Sequence, residues 1–319
     1  MDRRLGDTAA PRRRISTGFT AATTADEVLA GVDLTGLRAV VTGGGSGLGL
    51  ETGRALDGAG AAVTLAVRDV DSGREAARRL SPRTRIERLD LADLDSVDAF
   101  CERWRGPLHL LVNNAGIMRL PDLRRTADGV ELQLATNHLG HFAMASGLRS
   151  ALRDGAADRG GARIVAVASR AHLDAPVDFE DLSFDRRPYD PALAYGQSKT
   201  ANVLFAVGAT QQWAEDGVTA NALNPGGVAT GLQRHLPTEV RAAMAAGPLK
   251  SLQQGAATTL VAAVSPAFAG TGGHYLEDAT EAETVPDDAP PTSGVRGWAL
   301  DPDLADRLWT VSTALLARR

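Results

Sequence analysis

The chain of 319 residues is short of the residues that build cross-links and clusters. Its one cysteine, Cys101, excludes an internal disulfide framework and any cysteine-ligated zinc or iron–sulfur centre. Aromatic residues make up only 4%. There are three tyrosines and six asparagines, and of the 34 basic residues only Lys199 and Lys250 are lysine. Where such residues are this sparse, one at a chemically demanding position is hard to assign to chance. No apolar run approaches the about 20 residues that a membrane-spanning helix needs. Residues 1–16 are basic but lack the apolar stretch of a secretory signal, so the expected compartment is the cytosol. The net charge of −5 gives no general electrostatic reason to bind nucleic acid or anionic lipid. What remains, with 44% hydrophobic and 23% charged residues, is the composition of a folded protein with a full core.

Residues 1–20 hold five arginines and show no clear period, which reads as a solvated arm; residues 1–30 are expected to be largely disordered, with one short helix. Thr24 and Glu27 have capping-box spacing and Gly31 can end that helix. From Leu37 short apolar runs alternate with longer amphipathic ones. Strands are expected at 38–42, 62–67, 85–89, 108–112, 163–168, 219–223 and 273–276. Helical spacing covers 47–57, 72–80, 94–104, 128–152 and 193–214. This alternation specifies an α/β fold, a single doubly wound domain over 31–319 with a seven-stranded parallel sheet and helices on both faces. The acidic, proline-rich stretch 277–293 reads as a surface loop, and 301–316 as a last helix.

The first strand runs into Thr42-Gly-Gly-Gly-Ser-Gly-Leu-Gly49, which opens a helix. Gly43, Gly47 and Gly49 lack a Cβ, so the backbone can turn tightly and approach a diphosphate, while free N–H groups and the helix dipole favour its charge. The second strand ends in Arg68-Asp69, about 20 residues on, where a dinucleotide's adenosine ribose is read. An acid there accepts from a 2′-hydroxyl and selects NAD; an arginine pairs a 2′-phosphate and selects NADP. Both are present, and the choice stays open on residues alone. Asp90, after the third strand, is placed either to bond the adenine amino group or to cap the next helix.

Tyr195 and Lys199 stand four residues apart and so share a helix face. A cation beside a tyrosine stabilises phenolate and lowers a pKa that is normally near 10, letting the pair move a proton to or from an alcohol or carbonyl oxygen. Ser169 ends the fifth strand at its carboxyl edge, where open α/β sheets bind ligands, and can hold a substrate oxygen beside the tyrosine. Asn113-Asn114-Ala115-Gly116 follows the fourth strand in the same way. Asn137, mid-helix, suits a kinked backbone or a relay water. His138 and His141 have helical spacing but no acid or thiol nearby, so no metal site is expected. His172 either lines the pocket or closes a loop, and Cys101 reads as core.

These residues together resemble the short-chain dehydrogenase/reductases. The family's glycine turn, N-N-A-G, asparagine, serine, Y-x-x-x-K and P-G motifs stand here as 42–49, 113–116, Asn137, Ser169, Tyr195 with Lys199, and Asn224-Pro225-Gly226. Ala66-Val-Arg-Asp69, Leu89-Asp-Leu91 and 136–142 look like the retinol-dehydrogenase and WW-domain-oxidoreductase branch. The resemblance implies that Tyr195 is the general acid/base, that Lys199 lowers its pKa and binds the nicotinamide ribose, that Ser169 orients the substrate and that Asn137 holds a water. It implies that the cofactor is held by Gly43, Gly45, Ser46, Gly47, Leu48, Gly49, Arg68, Asp90, Leu91, Asn114, Ala115, Gly116, Tyr195, Lys199, Pro225, Gly226, Val228 and Thr230. In this branch the arginine at the Arg68 position reads the 2′-phosphate, so NADP(H) is preferred over NAD(H). Members often dimerise through the two helices that carry Asn137 and Tyr195, which leaves a homo-oligomer open here.

The expected activity is an NAD(P)-dependent oxidoreductase that interconverts an alcohol and a ketone or aldehyde. The alternatives are reduction of an activated C=C bond, and an NADPH-binding regulatory protein without turnover. Segments 170–194 and 227–252 should shape the pocket for a small-molecule substrate. Asp174, Asp178, Glu180, Asp181 and Asp185 in the first would discourage anionic substrates if they face it. Leu232, Leu236, Val240 and Met244 in the second suit a lipophilic one.

Overall fold

The computed structural model describes residues 13–288 and 292–318. Thr24 and Glu27 form the expected capping box, which starts α1 (Ala25–Val28). The chain then alternates β1 (Arg38–Thr42), α2 (Gly47–Gly58), β2 (Ala62–Val67), α3 (Val70–Ala76), β3 (Arg85–Arg88), α4 (Leu94–Arg103) and β4 (Leu110–Asn113). The stretch expected as one helix from 128 to 152 is broken into α5 (Leu132–Leu134), a π turn (Ala135–Leu139), α6 (Gly140–Gly147) and α7 (Arg149–Arg159). Next come β5 (Ala162–Val167), α8 (Pro191–Trp213), β6 (Val218–Asn224), α9 (Thr238–Ala245), α10 (Leu252–Val264), β7 (Tyr275–Glu277) and β8 (Thr280–Glu281). A small separate pair, β9 (Thr284–Val285) and β10 (Val295–Arg296), precedes α11 (Pro302–Leu316).

The main sheet has the order β3-β2-β1-β4-β5-β6-β7-β8. Its first seven strands are parallel; β8 adds an antiparallel edge that the sequence pattern did not signal, because two residues carry no period. β1, β2, β4, β5 and β6 are buried along almost their whole length, as parallel strands covered on both faces must be. One face packs under α1, α2 and α10 around Leu56, Leu65 and Leu260. The other packs under α4, α6, α7 and α8 around Phe100, Met144, Leu152 and Phe205. Strand order reverses between β1 and β4, so the turns after β1, β4, β5 and β6 open on one carboxyl edge beside that crevice.

Two ends of the chain are fastened to this frame. Residues 13–20, expected as part of a loose arm, bind the sheet edge: the Ile15 N–H donates to Glu281 Oε2 at 2.7 Å and Thr17 Oγ1 donates to the Ala279 carbonyl at 2.6 Å. Residues 1–12 lie outside the described residues. At the other end α11 lies along α8, with Trp309 edge-on to Trp213 at 5.1 Å and stacked on Phe205 at 6.3 Å. Each such aromatic pair adds about 0.5–1.5 kcal/mol beyond its buried area. The helix face that the family resemblance would offer to a second copy is thus covered within the chain. No described helix is long and apolar enough to cross a membrane.

Helix packing is tight enough to make a sign prediction. A Cβ at Gly140, the first residue of α6, would overlap the Leu91 carbonyl. Gly140→Ala gains about 1 kcal/mol of helix propensity, but the overlap costs about 1–3 kcal/mol. We expect a lower urea midpoint for the variant; an unchanged or raised midpoint would show that the loop at Leu91 yields freely.

Candidate active site

The carboxyl edge of the sheet brings the sequence motifs together. Gly43, at φ 67°, turns the chain out of β1 so closely under β4 that a Cβ would lie 3.0 Å from Ala115 Cα. Thr42 fastens the two turns: its Oγ1 accepts the N–H groups of Asn114 and Ala115, both at 2.9 Å, and its carbonyl accepts Asn114 Nδ2 at 2.8 Å. Ser46 is the N-cap of α2 but makes no capping hydrogen bond, so the first amides of that helix have no side-chain acceptor among the described residues. Thr230 stands opposite Gly47, 3.5 Å from where a Cβ would be. Leu48 and Val228 meet over Gly255 of α10. The glycine turn and the segment after β6 therefore lie against one another beside the uncapped N-terminus of α2, a donor set that fits a diphosphate.

At the adenosine end the two adjacent candidates part. Asp69 caps α3, its carboxylate accepting the N–H groups of Asp71 and Ser72 at 3.0 Å and the Ser72 hydroxyl at 3.0 Å, and these bonds hold its pKa down. Arg68 is exposed and makes no ion pair or side-chain hydrogen bond among the described residues. Asp90 is not a helix cap: Asp93 caps α4, while Asp90 Oδ1 accepts the Ala92 N–H at 3.0 Å in its own turn.

The π turn explains Asn137. It aims the side chain back at the turn after β4, where Oδ1 accepts the Ile117 N–H at 2.8 Å and Nδ2 donates to the Ile117 carbonyl at 3.0 Å and to Ser198 Oγ at 2.9 Å. Ser198 in turn donates to the Tyr195 carbonyl at 2.7 Å, so Asn137 ties α8 to β4. The Asn137 carbonyl receives His141 Nδ1 at 2.9 Å, and His141 Nε2 accepts from Thr42 Oγ1 at 2.8 Å. Nothing in the sequence distinguished His141 as this strut. His138 points elsewhere, its Nε2 bonded to Ser312 Oγ of α11 at 2.8 Å. His172 does not line the pocket; its N–H and ring Nδ1 both donate to the Ser169 carbonyl, at 3.1 and 2.7 Å, and close that turn. Cys101 packs half-buried against the core with its thiol pushed up to about 12 by burial.

Tyr195 and Lys199 do share a face of α8, and both are buried, at 4% and 3% exposure. Lys199 Nζ donates to the Val167 carbonyl at 2.9 Å and lies 5.7 Å from the centre of the tyrosine ring. Burial brings the ammonium down to about 8. Burial also pushes the phenol up to about 12, against the pull of the Ser169 hydroxyl and the charge of Arg119. Desolvation is the largest influence on both groups and disfavours the charged form of each, while the ammonium stands behind the ring it is expected to assist.

In front of Tyr195 opens a cavity of about 500 Å³, lined by Ser169, Met118, Arg119, Arg170, Leu193, Gly226, Leu236 and Val240 among others. Leu232 packs beside it, and the side chain of Met244 lies outside what is described. Of the five acids expected to matter, only Asp174 reaches the cavity. Asp178 and Asp181 pair with Arg187, Glu180 with Arg307 and Asp185 with Arg125. The segment after β6 is pinned at its neck, where Lys250 N–H donates to the Gly227 carbonyl at 2.8 Å and Lys250 Nζ pairs with Asp278 at 2.6 Å.

A sequence model of the family described as short chain dehydrogenase matches residues 38–241, which spans β1 to β6 and every family motif above. The chain belongs to the short-chain dehydrogenase/reductase family. It is 55% identical over 292 residues to a "probable oxidoreductase" of Streptomyces lividans, covering 87% of this chain and 97% of that one. A crystal structure of an uncharacterised protein from Mycobacterium paratuberculosis superposes with a TM-score of 0.71 at 33% identity, over 94% of this chain and 97% of that chain. A gluconate 5-dehydrogenase from Burkholderia cenocepacia, solved with NADP and tartrate, gives a TM-score of 0.60 at 26% identity, over 76% and 94%. The chain is thus an oxidoreductase of a family that binds a nicotinamide cofactor and generally transfers hydride between alcohols and ketones.

The buried imidazoles set the sign of one pH effect. Burial holds His138 down to about 3 and His141 and His172 to about 4. In the unfolded chain each binds its proton near pH 6.5, so below that pH the unfolded state takes up more protons and stability falls towards pH 4. The urea midpoint should be lower at pH 5 than at pH 7; a rise would place protons on these rings in the folded protein.

Proposed function

We propose that this protein is an NADP(H)-preferring oxidoreductase that interconverts an alcohol and a ketone or aldehyde, with Tyr195 exchanging the proton at the substrate oxygen. One observation carries the reading: a buried phenol lines, together with Ser169, a cavity at the same sheet edge as an uncapped helix N-terminus. Bound there, a nicotinamide supplies or accepts hydride. The first amides of α2 would hold its diphosphate, with Thr230 opposite, and Lys199 and Asn114 would lie along its ribose side.

In the reducing direction Ser169 and Tyr195 hold the carbonyl oxygen, and Tyr195 gives its proton to the oxygen as negative charge develops. The Lys199 ammonium, fixed behind the ring by the Val167 carbonyl, steadies the phenolate left behind. The preference for NADP(H) is supported by Arg68, which stands free while Asp69 is spent on its cap.

NADPH oxidation against a panel of aldehydes and ketones tests the reaction. Tyr195→Phe should lower turnover about 10²–10⁴-fold while the glycine turn and Arg68 still bind NADPH; equal turnover by the variant would remove the tyrosine from the chemistry. Arg68→Ala should weaken NADPH about tenfold or more and NADH little, since only the former offers a phosphate to pair. Equal losses for both cofactors would overturn the NADP preference.

A further inference from the structure

The cavity over Tyr195 is apolar along one side, at Met118, Leu193, Leu236 and Val240, yet it also carries two guanidinium groups, Arg119 and Arg170. Neither has a side-chain hydrogen bond or ion pair among the described residues. Several other arginines, Arg54, Arg125, Arg149, Arg187 and Arg307, do meet carboxylates. Arg119 is also held in a left-handed conformation, at φ 50°, that a long side chain seldom adopts. Gln133 Oε1 fixes it by accepting the Arg119 N–H at 2.6 Å, and Met118 and Leu120 are buried on either side. Strain kept at a cleft beside a reactive group points to use. Arg119 lines the same cavity as Tyr195, and its charge counters the upward push of burial on that phenol.

The two carboxylates at the mouth form no ion pair with Arg119 or Arg170 among the described residues. Asp190 is engaged as the N-cap of α8, accepting the N–H groups of Ala192 and Leu193 at 2.7 and 2.9 Å. Asp174 is exposed at the rim. Two negative groups there disfavour a doubly charged phosphate and leave room for a singly charged anion. A guanidinium pairs a carboxylate through two parallel hydrogen bonds.

We propose that Arg119 determines substrate specificity by binding a carboxylate on an otherwise apolar carbonyl compound, so that the carbonyl oxygen meets Ser169 and Tyr195. Arg170 at the rim draws the same charge inward. The assignment rests on the reading of Tyr195 as proton donor, and it names the substrate class of that site.

The test uses a medium-chain keto acid and its methyl ester, each with NADPH. Wild-type protein should reduce the acid with kcat/KM about tenfold higher, the size expected of one charged hydrogen-bonded pair in a partly open site. In Arg119→Met the acid-to-ester ratio should fall to near one, and Arg119→Lys should keep part of it. Arg119→Gly, which suits the left-handed backbone, should melt no lower than wild type and still lose the preference, separating charge from folding. Equal rates on acid and ester in wild type, or a ratio unchanged in Arg119→Met, would overturn the proposal. Calorimetry of both compounds on NADP⁺-loaded Tyr195→Phe reads the preference without turnover. Tighter binding of the acid there, with no reduction of either compound by wild type, would sink the proposed reaction and keep the carboxylate site. Reduction of both compounds that needs Tyr195 but shows no acid preference would do the reverse.

Discussion

A single backbone carbonyl, that of Val167 at the end of β5, organises the chemistry of this protein. It accepts Lys199 Nζ at 2.9 Å and Asn202 Nδ2 at 3.1 Å, so both of its lone pairs are taken by α8. An ammonium brought out of water is costly unless it is bonded, and its drop to about 8 measures how dry its surroundings are. The rest of the pocket follows from seating that group. Gly116 is small because a Cβ there would come within 3.5 Å of Nζ and 3.1 Å of Asn137 Oδ1. Asn137 then has to reach the turn after β4, and the π turn supplies the extra residue that swings it there. Helix α8, carrying Tyr195, is thereby locked to β4 and β5 at once.

Much of this was legible in the residues. The strands of a parallel sheet are continuous apolar runs, so β1, β2 and β6 fell close to their expected bounds, and the glycine turn and the Tyr195–Lys199 spacing are chemical patterns that need no register. What failed to show has a physical cause in each case. The break at 135–139 arises from side-chain bonds of Asn137 and His141 to distant backbone, while the local periodicity of 128–152 remained that of one helix. The hold of Ile15 on Glu281 spans 266 positions, beyond any local signal. The direction of the Tyr195 shift depends on desolvation, which spacing cannot report. Arg119 in the left-handed region belongs to no residue-type rule, since only glycine announces that conformation.

The ambiguity between Arg68 and Asp69 shows how packing can decide what composition leaves open. Both lie at the end of β2 and either could read a ribose. The start of α3 needed an acceptor for its first amides, and the aspartate, one position later, was the residue in place to cap it. The same competition cleared Asp90, whose helix is capped by Asp93. Acidic residues of the segment before Tyr195 were likewise drawn to arginines outside the cavity, which changed the charge of the pocket from the one their sequence positions suggest.

The covering of α8 by α11 has a consequence for how the molecule comes into being. Synthesis delivers the helix with Tyr195 and Lys199 long before the helix whose Trp309 and Ser312 close over its back. A chain halted short of residue 309 leaves an apolar flank of the catalytic helix bare, with Phe205 and Trp213 open to whatever chaperone or sticky neighbour is at hand. The backing of the catalytic helix therefore depends on residues far in sequence from the glycine turn.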